Sequence, residues 1–219
     1  MRRLSIRGGT FTDIANGEQT PLGQTVNVII VNAAPVSRSY FGNQFDPNKS
    51  TAPVCWSDDT QRPSTNVSEE NVQSRRCMDC TQNVRGSGEN GGRACRFQQR
   101  LAVVFEGDLE EVYQLQIPAS SIFGKVVDGK MGMQEYARHL ATHDTSVIAV
   151  VTNITFDEDS VVPKLYFKPI RPIEKGDGIK IAEMVVHEDT KRAITSFVPV
   201  TSEPSPFGKV EGGFDINAN

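Results

Sequence analysis

The sequence predicts a mainly β fold with one short helix and a metal-clamped loop insertion, and three observations carry that expectation. Short runs of β-branched and aromatic residues recur between polar turns, as strands require. One segment, 131–143, has the 3.6-residue apolar spacing of an amphipathic helix. All four cysteines fall within residues 35–100, where Pro, Ser, Asn, Asp, Gly and Arg leave few apolar residues in succession.

In chain order, "TVNVIIVNA" (25–33) is β-branched and short enough to be a buried strand. "RLAVVFEG" (100–107) and "VYQLQIPA" (112–119) read as a hairpin joined by the polar turn "DLEE". In "MGMQEYARHLATH", Met133, Tyr136, Ala137 and Leu140 share one helical face. "SVIAVVTNITF" (146–156) and "PKLYFKPI" (163–170) are two further strands, separated by the acidic turn "DEDS". "IKIAEMVVHE" (179–188) fits a strand or a short helix. The tail 201–219 carries too little apolar periodicity to hold a fold and is expected to be mobile.

At 219 residues, 37% hydrophobic and 23% charged, the chain reads as one β-rich domain over 1–200. Its core is 1–34 and 101–200, interrupted by the insertion 35–100. No run approaches the ~18 apolar residues of a membrane span. "MRRLSIRGGTF" lacks the apolar stretch of a signal peptide, so the cytoplasm is the expected compartment. In that compartment clustered cysteines bind metal or do redox work more often than they form stable disulfides.

A structureless insertion of this length inside a compact domain needs something to order it, and a metal can. Cys55, Cys77, Cys80 and Cys95 follow the pattern C-x21-C-x2-C-x14-C. The C-x2-C pair lets two thiolates reach one ion from a tight turn, and two more complete the closed tetrahedral shell of structural zinc. An iron–sulfur cluster can take the same four ligands, and free or disulfide-bonded cysteines are the third alternative. Arg75, Arg76, Arg85, Arg93 and Arg96 surround the cysteines and are expected to favour thiolate.

Other chemistry is sparse. His139 and His143 stand four apart, but "HLATH" lacks the Glu of a zinc hydrolase, so solvated histidines are expected. "GSGENGG" (86–92) lacks the Lys-Ser/Thr of a phosphate loop and reads as flexible linker. No nucleophile–base set or nucleotide fingerprint is present, so an enzyme is not expected.

A nucleic-acid surface is better supported. The net charge is −4, yet residues 71–100 hold six arginines against Asp79 and Glu89. Such a patch can follow a phosphate backbone. Alternation in "PKLYFKPI" sets Lys164, Tyr166 and Lys168 on one strand face, an arrangement able to stack a base and hold its phosphates. Arg171 and Lys175 would prolong that track. Tyr40, Phe41, Phe45 and Trp56 are further aromatic candidates, each equally able to pack the insertion against the core.

The pattern "DPNKSTAPVCWSDD … CMDC … GGRACRFQQRLAVVFEGD … YQLQIPASS … PKLYFKPIRP", over residues 45–172, resembles a podovirus-type family of tailed-phage early or replication proteins. In architecture it is similar to the zinc-bearing single-stranded DNA-binding proteins of large tailed phages. That resemblance implies an OB-like barrel or sheet, a zinc subdomain and a basic, aromatic cleft between them. It also implies phage replication proteins as partners and the host cytoplasm as location. Those relatives use three Cys and one His where this chain has four Cys. Their tails are strongly acidic, whereas the last 19 residues here hold Glu203, Glu211 and Asp215 against Lys209. The expected function is sequence-tolerant binding of single-stranded DNA. The alternatives are a phage protein that grips a host or replication protein without DNA, and an iron–sulfur nuclease or redox protein.

Overall fold

The computed structural model describes residues 2–42, 52–124 and 126–195. Ten strands form one mixed sheet curled into a half-barrel. They are β1 (Arg2–Ser5), β2 (Phe11–Ala15), β3 (Glu18–Gly23), β4 (Thr25–Ala33), β5 (Ser37–Tyr40), β6 (Cys55–Ser57), β7 (Arg96–Phe105), β8 (Asp108–Pro118), β9 (Val150–Phe156) and β10 (Leu165–Pro172). The order across the sheet is β10-β9-β4-β7-β8-β1-β2-β3, with β5 paired to β7 and β6 paired to β5. β1 runs parallel to β8, and the other pairs are antiparallel. The α-helices among the described residues are α1 (Ala119–Ile122), α2 (Met133–Thr142), α3 (Gly178–Val186) and α4 (Glu188–Ile194).

Side-chain alternation sorts the central strands onto two apolar layers. Val26, Val28 and Ile30 of β4 join Leu101, Val103, Leu115 and Ile117 on one face, under Met133, Tyr136 and Leu140 of α2. Ile29, Val31, Ala102, Val104 and Val151 occupy the other face, beneath Ile181 and Met184 of α3 and Ala193 of α4. With both faces covered, β4 reads in sequence as a nearly continuous apolar run. Tyr136 is completely buried, and its hydroxyl shares a 2.6 Å hydrogen bond with that of Thr152.

The strand expected at 25–33 is β4, the hairpin is β7–β8, and the helix lies within 131–143. The hairpin turns at Glu106-Gly107 rather than over 108–111, because Phe105 pairs with Asp108 and Gly107 takes a φ of +90° that favours glycine. Segment 179–188, open between strand and helix, falls mainly in α3, where Ile181 and Met184 bury one side of the helix. No helix among the described residues is long and apolar enough to cross a membrane.

The cysteine-bearing stretch is continuous with the sheet at both ends. β5 and β6 lie inside 35–100, and between β6 and the start of β7 at Arg96 the chain leaves the sheet over 58–95. It is built from short 3-10 turns at Glu69–Asn71, Cys77–Asp79, Thr81–Asn83 and Glu89–Gly91. The tail 201–219 lies outside the described residues.

Candidate metal centre

Three separate segments bring the four cysteines together. Cys55 opens β6, opposite Tyr40 of β5. Cys77 is fixed by donating its backbone N–H to Gln61 O at 2.8 Å, and the next turn closes when Cys80 N–H donates to Cys77 O at 3.4 Å. Cys95 N–H donates to Gln82 O at 2.8 Å, which holds the thiol in place directly before β7. All four thiols are free and line one pocket, together with Arg38, Tyr40 and Trp56. Its cavity is about 20 Å³, room for a single water-sized species. Among the described residues, no group of three or more His, Cys, Asp or Glu side chains is placed so that it could hold a metal ion as it stands. The chemistry of the donor set nevertheless fits a zinc-like divalent cation, since four thiols and no carboxylate line the pocket.

Burial governs two of the thiols, Cys95 and Cys55. It pushes Cys95 up to about 12, with Arg38 acting in the opposite direction and the neighbouring cysteines adding to the rise. Cys55 is also raised by burial, opposed by the Gln73 backbone N–H. The expectation that the surrounding arginines favour thiolate is therefore corrected for these two positions. Arg75, Arg76, Arg85, Arg93 and Arg96 are exposed, and water screens them from the pocket.

These arginines decorate the outer surface of the insertion. Arg76 lies 3.5 Å from Asp79 and Arg96 lies 4.0 Å from Glu89. Arg75, Arg85 and Arg93 make no ion pair among the described residues. Arg85 and Arg93 sit on a loop that is closely knit, where the glycine run had suggested a linker. Gly86 N–H and Gly88 N–H both donate to Gly92 O, at 2.8 and 3.1 Å. Ser87 Oγ donates to Val84 O at 2.6 Å and accepts from Ala94 N–H at 3.1 Å.

The second expected surface is different from its reading in sequence. Tyr166 is 7% exposed and does not present a stacking face. Its hydroxyl donates to Asp157 at 3.0 Å, and Lys164 Nζ donates to the same carboxylate oxygen at 2.7 Å. Lys164 and Lys130 also lie over the ring, at 4.8 and 5.6 Å from its centroid. The alternation was read correctly, but Asp157 draws the aromatic and the cation into one cluster. Lys164 holds the Asp157 carboxyl below its ordinary value by hydrogen bonding.

Lys168 is exposed beside a groove of about 530 Å³, also lined by Met131, Arg138, His139 and Pro169. Arg171 is paired with Glu106 at 2.5 Å. Tyr40 and Phe41 are half-buried, Tyr40 against the thiol pocket, and Phe45 lies outside the described residues. The His139 and His143 rings are tilted by 50° with centroids 4.5 Å apart, and His143 Nδ1 lies 2.8 Å from the His139 carbonyl.

One residue of the pocket escaped sequence reasoning. Arg38 of β5 is 5% exposed, and its guanidinium lies 4.0 Å from the Phe97 ring centroid. An arginine between two serines in "SRSY" gives no periodic or spacing signal of such a place. No protein-family model, curated protein or solved structure matches this chain.

Proposed function

We propose that the chain binds single-stranded DNA through a basic insertion held together by one structural zinc ion. The observation that carries the reading is the convergence of four free thiols on a single ion-sized pocket in the segment that displays Arg75, Arg85 and Arg93. Cys55, Cys77, Cys80 and Cys95 would hold the ion, closing on it by side-chain rotation. Zinc supplies the fixed tetrahedral cross-link that a segment without its own apolar core lacks. The cavity size favours one ion over a cluster of several irons and sulfides. In this reading the curled sheet takes the part of the OB-like barrel, and 58–95 takes the part of the metal-clamped insertion.

DNA contact rests on the phosphate backbone. Arg75, Arg85 and Arg93 supply positive charge without an ion pair among the described residues, Arg76 and Arg96 can exchange their acidic neighbours for phosphates, and Lys168 offers charge from the sheet. Binding of this kind tolerates sequence and weakens steeply with salt. Titration of a fluorescent oligo-dT at low and high salt tests it. Replacing Arg75, Arg85 and Arg93 by Ala should lower the slope of log affinity against log salt by about 2, at roughly 0.7 per phosphate contact. Absence of binding at low salt ends the reading.

A second reading is supported by Met78, 67% exposed, and Val84, 59% exposed, both on the insertion. Apolar side chains among arginines suit a protein partner, such as a phage replication protein or a host enzyme. Met78→Asp with Val84→Asp should abolish capture of such a partner while sparing oligo-dT binding.

A further inference from the structure

We infer that Arg38 is the internal counter-charge of the cysteine centre, donating its guanidinium N–H groups to the metal-bound thiolates. The inference rests on the four-cysteine zinc reading above and adds a residue that no ligand spacing reveals. Arg38 is 5% exposed and lines the same pocket as Cys55, Cys77, Cys80 and Cys95. Its Nε and Nη1 are buried without a hydrogen-bond partner among the described residues. No carboxylate pairs with it there.

A guanidinium is charged at every accessible pH, and leaving it buried and uncompensated is strongly destabilising. Contact with the Phe97 ring offsets part of that cost but supplies no acceptor for the N–H groups. Four thiolates on a divalent cation carry a net charge of −2, and their sulfurs accept hydrogen bonds. The centre and Arg38 therefore satisfy each other: the cation lacks an anion, and the tetrathiolate lacks a cation. The exposed arginines of the insertion cannot serve, because solvent screens them. Placement on β5, between β6 and β7, holds the guanidinium against strands that begin at Cys55 and directly after Cys95.

The test compares wild type, Arg38→Met and Arg38→Lys, using zinc competition against a chromophoric chelator and the charge-transfer band of the cobalt(II)-loaded protein. Arg38→Met should weaken zinc binding by about 10–100-fold, the usual effect of losing an outer partner of a metal ligand. Loss of the positive charge raises the sulfur lone pairs in energy, so the cobalt band should move to longer wavelength. Arg38→Lys, which keeps the charge, should show a smaller loss and a smaller shift, and it remains informative if the Met variant does not fold. Zinc affinity and band position unchanged in both variants overturn the role of Arg38. Equal losses in both with an unmoved band also overturn it, since packing would then be the cause. A wild-type protein that takes up neither zinc nor cobalt removes the metal reading itself, and the inference with it.

Discussion

Asp157 accepts hydrogen bonds from Lys164 and Tyr166, and it shows how one carboxylate can change the meaning of a strand. Read as an alternating pattern, Lys164, Tyr166 and Lys168 form an exposed basic and aromatic face. The structure instead closes Tyr166 under two ammonium groups, and Lys168 alone of the three is exposed. Asp157 lies in the turn before β10, and periodicity within a strand carries no information about a partner outside it. Asp157→Asn keeps an acceptor but loses the charge, so a stability loss of about 1 kcal/mol is expected in urea unfolding. The pH dependence has a definite sign. The folded carboxyl is depressed, chiefly by Lys164, so its contribution is fully present above the unfolded value of about 3.9 and is lost as pH falls through the folded value. The difference between wild type and Asp157→Asn should therefore shrink below about pH 4. A difference that stays constant to pH 2 would show that the ion pair contributes nothing.

The loop that ends at Cys95 is a unit with its own geometric demands. A Cβ on Gly88 would stand 2.7 Å from Ala94 N and 2.8 Å from Arg93 C, both backbone atoms with little room to move. Gly88→Ala should therefore strain the loop by roughly 1–3 kcal/mol, as overpacking does. The effect should appear as weaker zinc binding with an unchanged far-UV circular dichroism spectrum. Unaltered zinc affinity would mean that the loop reshapes freely. The cysteine spacing made the insertion legible, and apolar runs made β4, the β7–β8 hairpin, α2, β9 and β10 legible. The strands β1, β2, β3, β5 and β6 were not. β3 is exposed along its whole length and contains Pro21, and "SRSY" and "CWS" are too short to show a period. These elements exist because neighbouring strands offer open backbone groups, a reason that lies elsewhere in the chain.

At the scale of the molecule, the apolar layers and the cysteine pocket are separate sources of order. Neither hydrophobic cluster contains a cysteine, so the half-barrel should stand without metal. If the cysteines hold zinc as proposed, removing it with a chelator should leave the β-sheet circular dichroism intact and open Arg75, Arg76, Arg85 and Arg93 to trypsin, whereas the zinc-loaded protein should resist cleavage there. Equal resistance with and without metal would assign the order of the insertion to its hydrogen bonds alone. The parallel pair of β1 with β8 has a consequence in time. Arg2 lies beside Tyr113 and Leu4 beside Leu115, so β1 waits in synthesis for a partner more than a hundred residues downstream. At about 5–20 residues per second, that interval is roughly 5–20 s. During it the nascent chain carries a β1–β2–β3 meander with an open edge. The closing of the sheet is thus set by the pace of the ribosome as well as by the chain's own search.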